Sequence, residues 1–94
     1  MFKILEELVT TIRQRKGSSA EESYTKKLLK DKNLSVQKVK EEVAELIDSI
    51  EKNSNKVHES ADVLYHLMVL LEANGIKIED VMDELKKRKN DKLA

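Results

Sequence analysis

The feature that most constrains the fold is a run of apolar residues at helical spacing in the second half of the chain. Between Val57 and Leu71, apolar side chains cover most of the circumference of a helix drawn at 100° per residue. Such a helix must be central, because only neighbouring helices can cover it on several sides. The helix predicted before it is apolar on one side only, and we expect that side to be its buried face. Its residues are Val36, Val39, Val43, Leu46, Ile47 and Ile50.

The remaining sequence also favours helices. The chain has no proline, two glycines and three aromatic residues, a composition that disfavours β-structure. A first amphipathic helix ends at Gly17, and a short helical segment opens after Ser23. We expect Ser35 to cap the next helix, Asn55 to cap the one after it, and Gly75 to end that helix in the left-handed conformation.

A chain of 94 residues has room for one domain, which we expect to span residues 1–94. The sequence predicts an all-α bundle of four to five helices, in which the two long helices run antiparallel. Because the shorter helices cover the long pair only partly, we expect a homodimer whose two copies complete the core.

The charges balance overall but are distributed unevenly. Residues 1–40 carry ten Lys and Arg against five Asp and Glu, and residues 41–94 carry eight against thirteen. A chain with no net charge does not suggest a nucleic-acid-binding protein, and no stretch approaches the length of a membrane span. With no cysteine there is neither a disulfide framework nor a thiolate metal site. We expect a cytoplasmic protein.

Two pairs of carboxylates flank the predicted connection between the long helices. Glu42 and Glu45 are three residues apart, as are Glu59 and Asp62, so each pair shares one helix face. In an antiparallel hairpin the pairs can face each other, and carboxylates about 4 Å apart repel by roughly 4 kcal/mol at an effective dielectric near 20. Such a site needs a cation, and oxygen ligands suit Mg²⁺, Mn²⁺ or Ca²⁺. The alternative is that Glu42 and Glu45 are solvated surface charges.

Four stretches of the chain carry a resemblance to one enzyme family. They are Arg15-Lys16-Gly17-Ser18, Ser23-Tyr24-Thr25 with Leu28, residues 38–45 and residues 59–67. With these stretches the chain resembles the phosphoribosyl-ATP pyrophosphatases, all-α enzymes of histidine biosynthesis within the MazG-like nucleotide pyrophosphohydrolases. The paired carboxylates mark the broad group, whereas the Ser-Tyr-Thr segment and the run from Asp62 point to the narrower family. The family often has glycine where this chain has Lys40, a position expected to face solvent.

The resemblance implies hydrolysis of phosphoribosyl-ATP to phosphoribosyl-AMP and pyrophosphate, with Mg²⁺, or alternatively Mn²⁺, as cofactor. The metal ligands that it implies are Glu42, Glu45, Glu59 and Asp62, in agreement with the helix-face argument. Glu42 and Glu45 are the catalytic candidates, and Glu45 is the first choice for a general base.

The candidates for binding the substrate are mainly basic residues. Lys38 is suited to a phosphate, and pairing with Glu42 one turn away explains it equally well. Ser23 is a candidate for contact with the substrate, but capping a short helix explains it equally well. His66 is expected either to hydrogen-bond Asp62 or to be a satisfied core histidine. We expect His58 to be a surface residue and Tyr65 to pack in the dimer interface. The remaining candidates are Thr25, Lys26, Lys27, Arg13 and Lys16.

Two other functions remain open at this point. The metal site alone does not exclude a MazG-like enzyme that hydrolyses other nucleoside triphosphates. A helical dimerisation module without catalysis, in which the acidic pairs are ordinary surface residues, is a further alternative.

Overall fold

The structure is a computed structural model that describes residues 1–17 and 23–91. These residues form five helices and no strand, which confirms the all-α prediction. Ser18 and the final residues of the expected domain lie outside the described part. Among the described residues, no helix combines the length and the apolar character needed to cross a membrane. The helices are α1 (Lys3–Gly17), α2 (Tyr24–Lys30), α3 (Lys32–Lys52), α4 (Lys56–Ala73) and α5 (Ile78–Asp91).

Helix α4 is the centre of the fold, as the sequence predicts. It packs against each of the other four helices, and most extensively against α3. The core lies around its second half, where partly buried Leu8, Leu34, Tyr65 and Met68 pack against a cluster of buried apolar residues. Those buried apolar residues are Ile12, Leu28, Leu29, Val69 and Ala73.

Helices α3 and α4 form an antiparallel hairpin joined by three residues. The connection turns sharply because Asn53 and Asn55 both adopt left-handed backbone conformations, with φ of 54° and 55°. Asparagine tolerates this conformation better than most residues. The N–H of Ser54 donates to the carbonyl of Ser49 at 3.0 Å, which satisfies the end of α3. Asn55 precedes α4, but its side chain makes no capping hydrogen bond.

Gly75 ends α4 as predicted, with φ of 69°. Its N–H donates to the carbonyl of Glu72 at 3.1 Å, and the N–H of Ile76 donates to the carbonyl of Leu71 at 2.9 Å. These two bonds form a Schellman motif, in which the left-handed residue lets the chain reverse over the last turn of the helix.

The predicted start of α3 is wrong. Ser35 lies inside the helix and is buried, whereas the cap is Asp31, whose side chain accepts a hydrogen bond from the N–H of Leu34 at 3.0 Å. Aspartate and serine are comparable caps, so the choice depends on where α2 ends. Because α2 continues to Lys30, Asp31 is the only residue left between the two helices.

The expected buried face of α3 is also wrong within one copy of the chain. Ile47 and Ile50 of the apolar stripe are 52% and 56% exposed, and Val36 and Val43 are exposed too. The buried residues of α3 are polar. Periodicity shows which side chains share a face, but not which face packs against the same chain. Here the polar flank packs towards α4, and its buried members are Ser35, Glu42 and Ser49.

Candidate metal centre

The hairpin brings carboxylates from both long helices together. Ligand oxygens of Glu42 and Glu45 on α3 and of Glu59 on α4 all lie within 4.8 Å of one another. Glu59 belongs to a second group with Asp62 and His58, whose ligand atoms are equally close. The structure therefore joins the four carboxylates proposed from the sequence into one connected cluster, which we call the carboxylate cluster.

The innermost member of the carboxylate cluster is Glu42. It is only 6% exposed, and its Oε2 atom is buried with no hydrogen-bond partner among the residues that the structure describes. Oε2 of Glu59 is buried and unpartnered in the same way. A buried carboxylate oxygen without a partner is costly, so both atoms are positioned to accept a cation.

One lysine partly neutralises the cluster. Nζ of Lys38 lies 3.6 Å from Oε1 of Glu42 and 3.2 Å from Oε2 of Glu41. The hydrogen bond to Glu41 is the main reason that the pKa of Lys38 is raised. Lys38 therefore forms the pairing with Glu42 that the sequence allowed, and it remains close enough to the cluster to meet a phosphate.

The pKa of Glu59 shows the effect of crowding. Its pKa is raised, first by loss of solvent around the carboxylate and then by the neighbouring Glu45. Both causes disfavour the charged form. The cluster thus holds more negative charge than its surroundings compensate, and its donors are oxygen atoms of the kind that Mg²⁺ and Mn²⁺ bind. The residues present fit such an ion.

His66 is not a member of the carboxylate cluster, but it contacts the backbone of one of the members. Its Nδ1 lies 2.7 Å from the main-chain carbonyl of Asp62, and its Nε2 lies 2.9 Å from the hydroxyl of Tyr24. Because a carbonyl only accepts, Nδ1 donates, and in the neutral ring Nε2 accepts from Tyr24. The expected partnership with Asp62 is therefore made through its backbone, and partial burial raises the pKa of the Tyr24 hydroxyl that donates.

Two of the substrate candidates on α2 have structural partners. Oγ of Ser23 accepts from the N–H of Lys26 at 3.3 Å, which is the capping role that the sequence allowed. The hydroxyl of Thr25 hydrogen-bonds the hydroxyl of Tyr65. Tyr65 packs against the core within one copy and lies edge-on to His66, with ring centroids 4.9 Å apart. These contacts do not test its expected place in a dimer interface.

Lys26 and Lys27 line an open cleft of about 1080 Å³ at the corner between α2 and α3. Half of the residues that line it are lysines, and Tyr24 and the acidic Asp31 line it as well. Since the Tyr24 hydroxyl reaches His66 on α4, this residue connects the cleft with the carboxylate cluster. We call this feature the lysine cleft; its other basic residues are Lys30 and Lys32.

Arg13 and Lys16 are not brought to the carboxylate cluster. Arg13 donates to both carboxylate oxygens of Glu79 at 2.9 and 2.5 Å, and both basic residues lie within 3.8 Å of Glu72. Glu72 is ten residues beyond Asp62 on α4, which corresponds to about 15 Å along the helix. The two residues instead join α1 to α4 and α5.

Sequence reasoning missed Tyr24 and underrated His58. The Ser-Tyr-Thr segment drew attention to its two hydroxyl neighbours, and nothing local shows that Tyr24 reaches α4. His58 is exposed, as expected, but its Nε2 lies 3.3 Å from Oδ2 of Asp62. The four-residue spacing between His58 and Asp62 could have indicated this contact.

Comparison of the sequence with known proteins identifies a family to which this chain is similar. The family model described as phosphoribosyl-ATP pyrophosphohydrolase matches residues 5–89. A phosphoribosyl-ATP pyrophosphatase of Bacillus cereus is 44% identical over 96 residues, covering 99% of this chain and 86% of that protein. The corresponding protein of Caulobacter sp. (strain K31) is 40% identical over 90 residues, covering 94% and 84%.

A longer relative matches as well. The histidine biosynthesis bifunctional protein HisIE of Pyrococcus furiosus is 42% identical over 89 residues, which is 94% of this chain and 42% of that protein. The family match and the two similar-sized relatives cover both long helices and all four residues of the carboxylate cluster. The chain therefore belongs to the phosphoribosyl-ATP pyrophosphohydrolase family.

Proposed function

We propose that this chain hydrolyses phosphoribosyl-ATP to phosphoribosyl-AMP and pyrophosphate, a step of histidine biosynthesis. Family membership supports the reaction. The structural observation that carries it is the convergence of Glu42, Glu45 and Glu59, together with a buried oxygen of Glu42 that has no partner among the described residues. A dimerisation module without catalysis gives no reason for this convergence of negative charge.

Glu42, Glu45, Glu59 and Asp62 are the proposed ligands of Mg²⁺, with Mn²⁺ as the alternative. Bound there, the ion would neutralise negative charge on the phosphate oxygens of the substrate. The protein keeps these ligands in place through the hairpin and through His66, which holds the backbone of Asp62. Lys38 adds a positive charge beside Glu42, at a distance that also suits contact with a phosphate.

Glu45 is the proposed general base. It is the exposed member of the group that it forms with Glu42 and Glu59, so water and substrate can reach it. In the reaction, the oxygen of water bonds to the α-phosphorus and the bond from that phosphorus to the bridging oxygen breaks. Pyrophosphate leaves with the bridging oxygen, and Glu45 takes the proton of the attacking water.

The lysine cleft is the proposed site for the second ribose phosphate of the substrate, with Lys26 and Lys27 as its main residues. Ser23 and Thr25, on the adjoining part of α2, are proposed to orient the substrate in addition to their structural contacts. Arg13 and Lys16 remain weaker candidates, because they are bound to Glu72 and Glu79. A remote dianion held in the cleft can direct binding energy into positioning the bond that breaks.

A substrate panel tests this proposal. We expect kcat/KM with Mg²⁺ to be much higher for phosphoribosyl-ATP than for ATP or dCTP. The double variant Lys26→Ala/Lys27→Ala should lose about tenfold to hundredfold in kcat/KM for phosphoribosyl-ATP, as when hydrogen bonds to a charged group are removed. The kcat/KM of this variant for ATP and dCTP should change little, so that its preference for phosphoribosyl-ATP over these two nucleotides becomes smaller.

The matched control is Lys86→Ala/Lys87→Ala, which removes an adjacent lysine pair from the exposed surface of α5. This control variant should prefer phosphoribosyl-ATP over ATP and dCTP as strongly as the original protein does. Comparable values for all three substrates would instead favour a MazG-like enzyme with broad nucleotide specificity, and no magnesium-dependent release of pyrophosphate would favour the non-catalytic alternative.

The proposal includes a homodimer in the cytoplasm. Besides the exposed apolar stripe of α3, Val57 and Leu64 on α4 are 86% and 44% exposed. Two copies packed through this surface would cover large apolar side chains that water otherwise contacts. Sedimentation at micromolar concentration should show a dimer, and Ile47→Glu should produce a monomer. A well-folded original protein that sediments as a monomer would contradict this part of the proposal.

A further inference from the structure

His58 occupies the open end of the carboxylate cluster. It lies one residue before Glu59, and its Nε2 is 3.3 Å from Oδ2 of Asp62, one turn further along α4. Its side chain is 72% exposed, whereas that of Asp62 is 37% exposed. The imidazole therefore extends from the solvent side towards a carboxylate that we assign to the metal centre.

The contact with Asp62 is part of a larger arrangement. One ligand atom each from His58, Glu59 and Asp62 lies within 4.8 Å of the others, and Glu59 is equally close to Glu42 and Glu45. The two groups thus share Glu59. Glu59, the residue that the two groups share, and Glu42 each have a buried oxygen with no partner within the described residues. These buried oxygens favour a cation in the carboxylate cluster, because acidic residues at the surface do not require one.

His58 is the imidazole that is available to such an ion. The chain contains two histidines, and both ring nitrogens of His66 are within hydrogen-bond distance of other groups, at 2.7 Å from the Asp62 carbonyl and 2.9 Å from the Tyr24 hydroxyl. His66 would have to give up one of these contacts to bind a metal. The Nε2 of His58 is instead already directed at a proposed metal ligand.

We propose that His58 is a nitrogen ligand at the outer side of the carboxylate cluster, where it binds a divalent ion together with Glu59 and Asp62. This inference rests on the proposed metal centre and adds a donor of a different chemical type. Magnesium strongly prefers oxygen ligands, whereas first-row transition ions also bind mixed nitrogen and oxygen sites, with an affinity that rises from Mn²⁺ to Co²⁺ and Ni²⁺. His58 therefore shifts the preference of this position from Mg²⁺ towards Mn²⁺ and Co²⁺.

Manganese binding without substrate tests the inference. Free Mn²⁺ is followed by electron paramagnetic resonance during titration, and electron spin echo envelope modulation detects a directly bound nitrogen. The original protein should show nitrogen modulation from bound Mn²⁺, and His58→Asn should lose it. The variant should also bind Mn²⁺ about tenfold more weakly, at least the effect typical of losing a supporting partner of a metal ligand, while its Mg²⁺ affinity changes much less.

One control variant and two contrary outcomes distinguish the ways in which the inference can fail. His66→Asn should retain the nitrogen modulation if His58 is its source. Equal Mn²⁺ affinity in the original protein and His58→Asn, without nitrogen modulation in either, would overturn this inference and leave the proposed function intact. If neither protein binds Mn²⁺ or Mg²⁺, the proposed metal centre fails together with the inference.

Discussion

Helix α4 carries carboxylates near both ends, and the charges around them are opposite. Basic residues surround the carboxylate at one end, whereas further carboxylates lie close by at the other. Near its end, Glu72 lies within 3.8 Å of Arg13 and Lys16, and Arg13 also binds Glu79 of α5. Near its beginning, Glu59 lies close to Glu42 and Glu45 across the hairpin and to Asp62 on the same helix, with Lys38 as the nearby lysine. The pKa values reflect this difference in charge. The pKa of Glu59, among carboxylates, is raised, whereas the pKa of Glu79, bound to Arg13 at the other end, is lowered to about 2.

The difference distinguishes a structural use of acidic residues from one suited to an external ion. At the Glu72 end, each carboxylate has a cation supplied by another helix, and the contacts hold α1, α4 and α5 together. At the Glu59 end, negative charge from two helices converges and the compensation is incomplete. An acidic cluster in which the protein supplies too little positive charge is therefore the better place to look for a bound metal.

The largest expected effect is on turnover. Glu42→Gln should reduce kcat for phosphoribosyl-ATP by at least about a hundredfold, because loss of a metal ligand should exceed the loss seen for supporting partners. Glu72→Gln, at the other end of α4, should leave turnover nearly unchanged. Steady-state assays with saturating Mg²⁺ measure both, and far-UV circular dichroism checks that each variant keeps its helices.

The same pair of variants should differ in stability when metal is removed. Glu42→Gln should raise the thermal midpoint by relieving repulsion, whereas Glu72→Gln should lower it through loss of an ion pair that contributes about 1 kcal/mol or less. Near-normal turnover in Glu42→Gln would remove the distinction between the two ends and, with it, the four-carboxylate assignment.

A smaller effect concerns acid stability at the Glu79 contact. Hydrogen bonding to Arg13 is the main reason that the pKa of Glu79 falls from 4.5 to about 2 in the folded protein. Because the folded-state pKa is the lower one, the stabilisation is complete above about pH 4.5 and is lost as the pH falls towards 2. Urea unfolding across this interval should show a shallower loss of stability for Glu79→Gln than for the original protein.

Glu84→Gln is the control for that experiment. Glu84 binds Arg88 within α5 at 2.9 Å, so its loss removes an ion pair of one helix rather than a contact between helices. An identical pH dependence for Glu79→Gln and the original protein would show that the Arg13 contact adds nothing to acid stability.

Much of the fold followed from local patterns. Helical periodicity predicted all-α structure and the central helix, and Gly75 ends α4 because glycine adopts the left-handed conformation easily. The three-residue spacing of Glu42 with Glu45, and of Glu59 with Asp62, was enough to predict that the carboxylates meet. These features depend on residues close in sequence or on a single hairpin.

The remaining features depend on contacts that local patterns do not contain. The apolar stripe of α3 is plain in the sequence, but its outward orientation depends on which side of α3 packs against α4. Tyr24 reaches His66 only because α2 docks on α4, forty-two residues further along the chain. Asp31, and not Ser35, caps α3, because α2 extends further along the chain than its few apolar residues indicated.

Asp31 also bears on the geometry of the lysine cleft, because it joins the two helices that line the cleft. Its N–H donates to the carbonyl of Lys27, its own carbonyl accepts from Ser35, and its side chain accepts from Leu34, each at 3.0 Å. With one fully bonded residue between α2 and α3, the two walls of the cleft form a rigid elbow. The backbone spacing between its lysines is fixed during folding, so little further backbone ordering is required when a ligand binds. If the lysine cleft binds the second ribose phosphate as proposed, this fixed backbone spacing would favour polyanions whose phosphates match it.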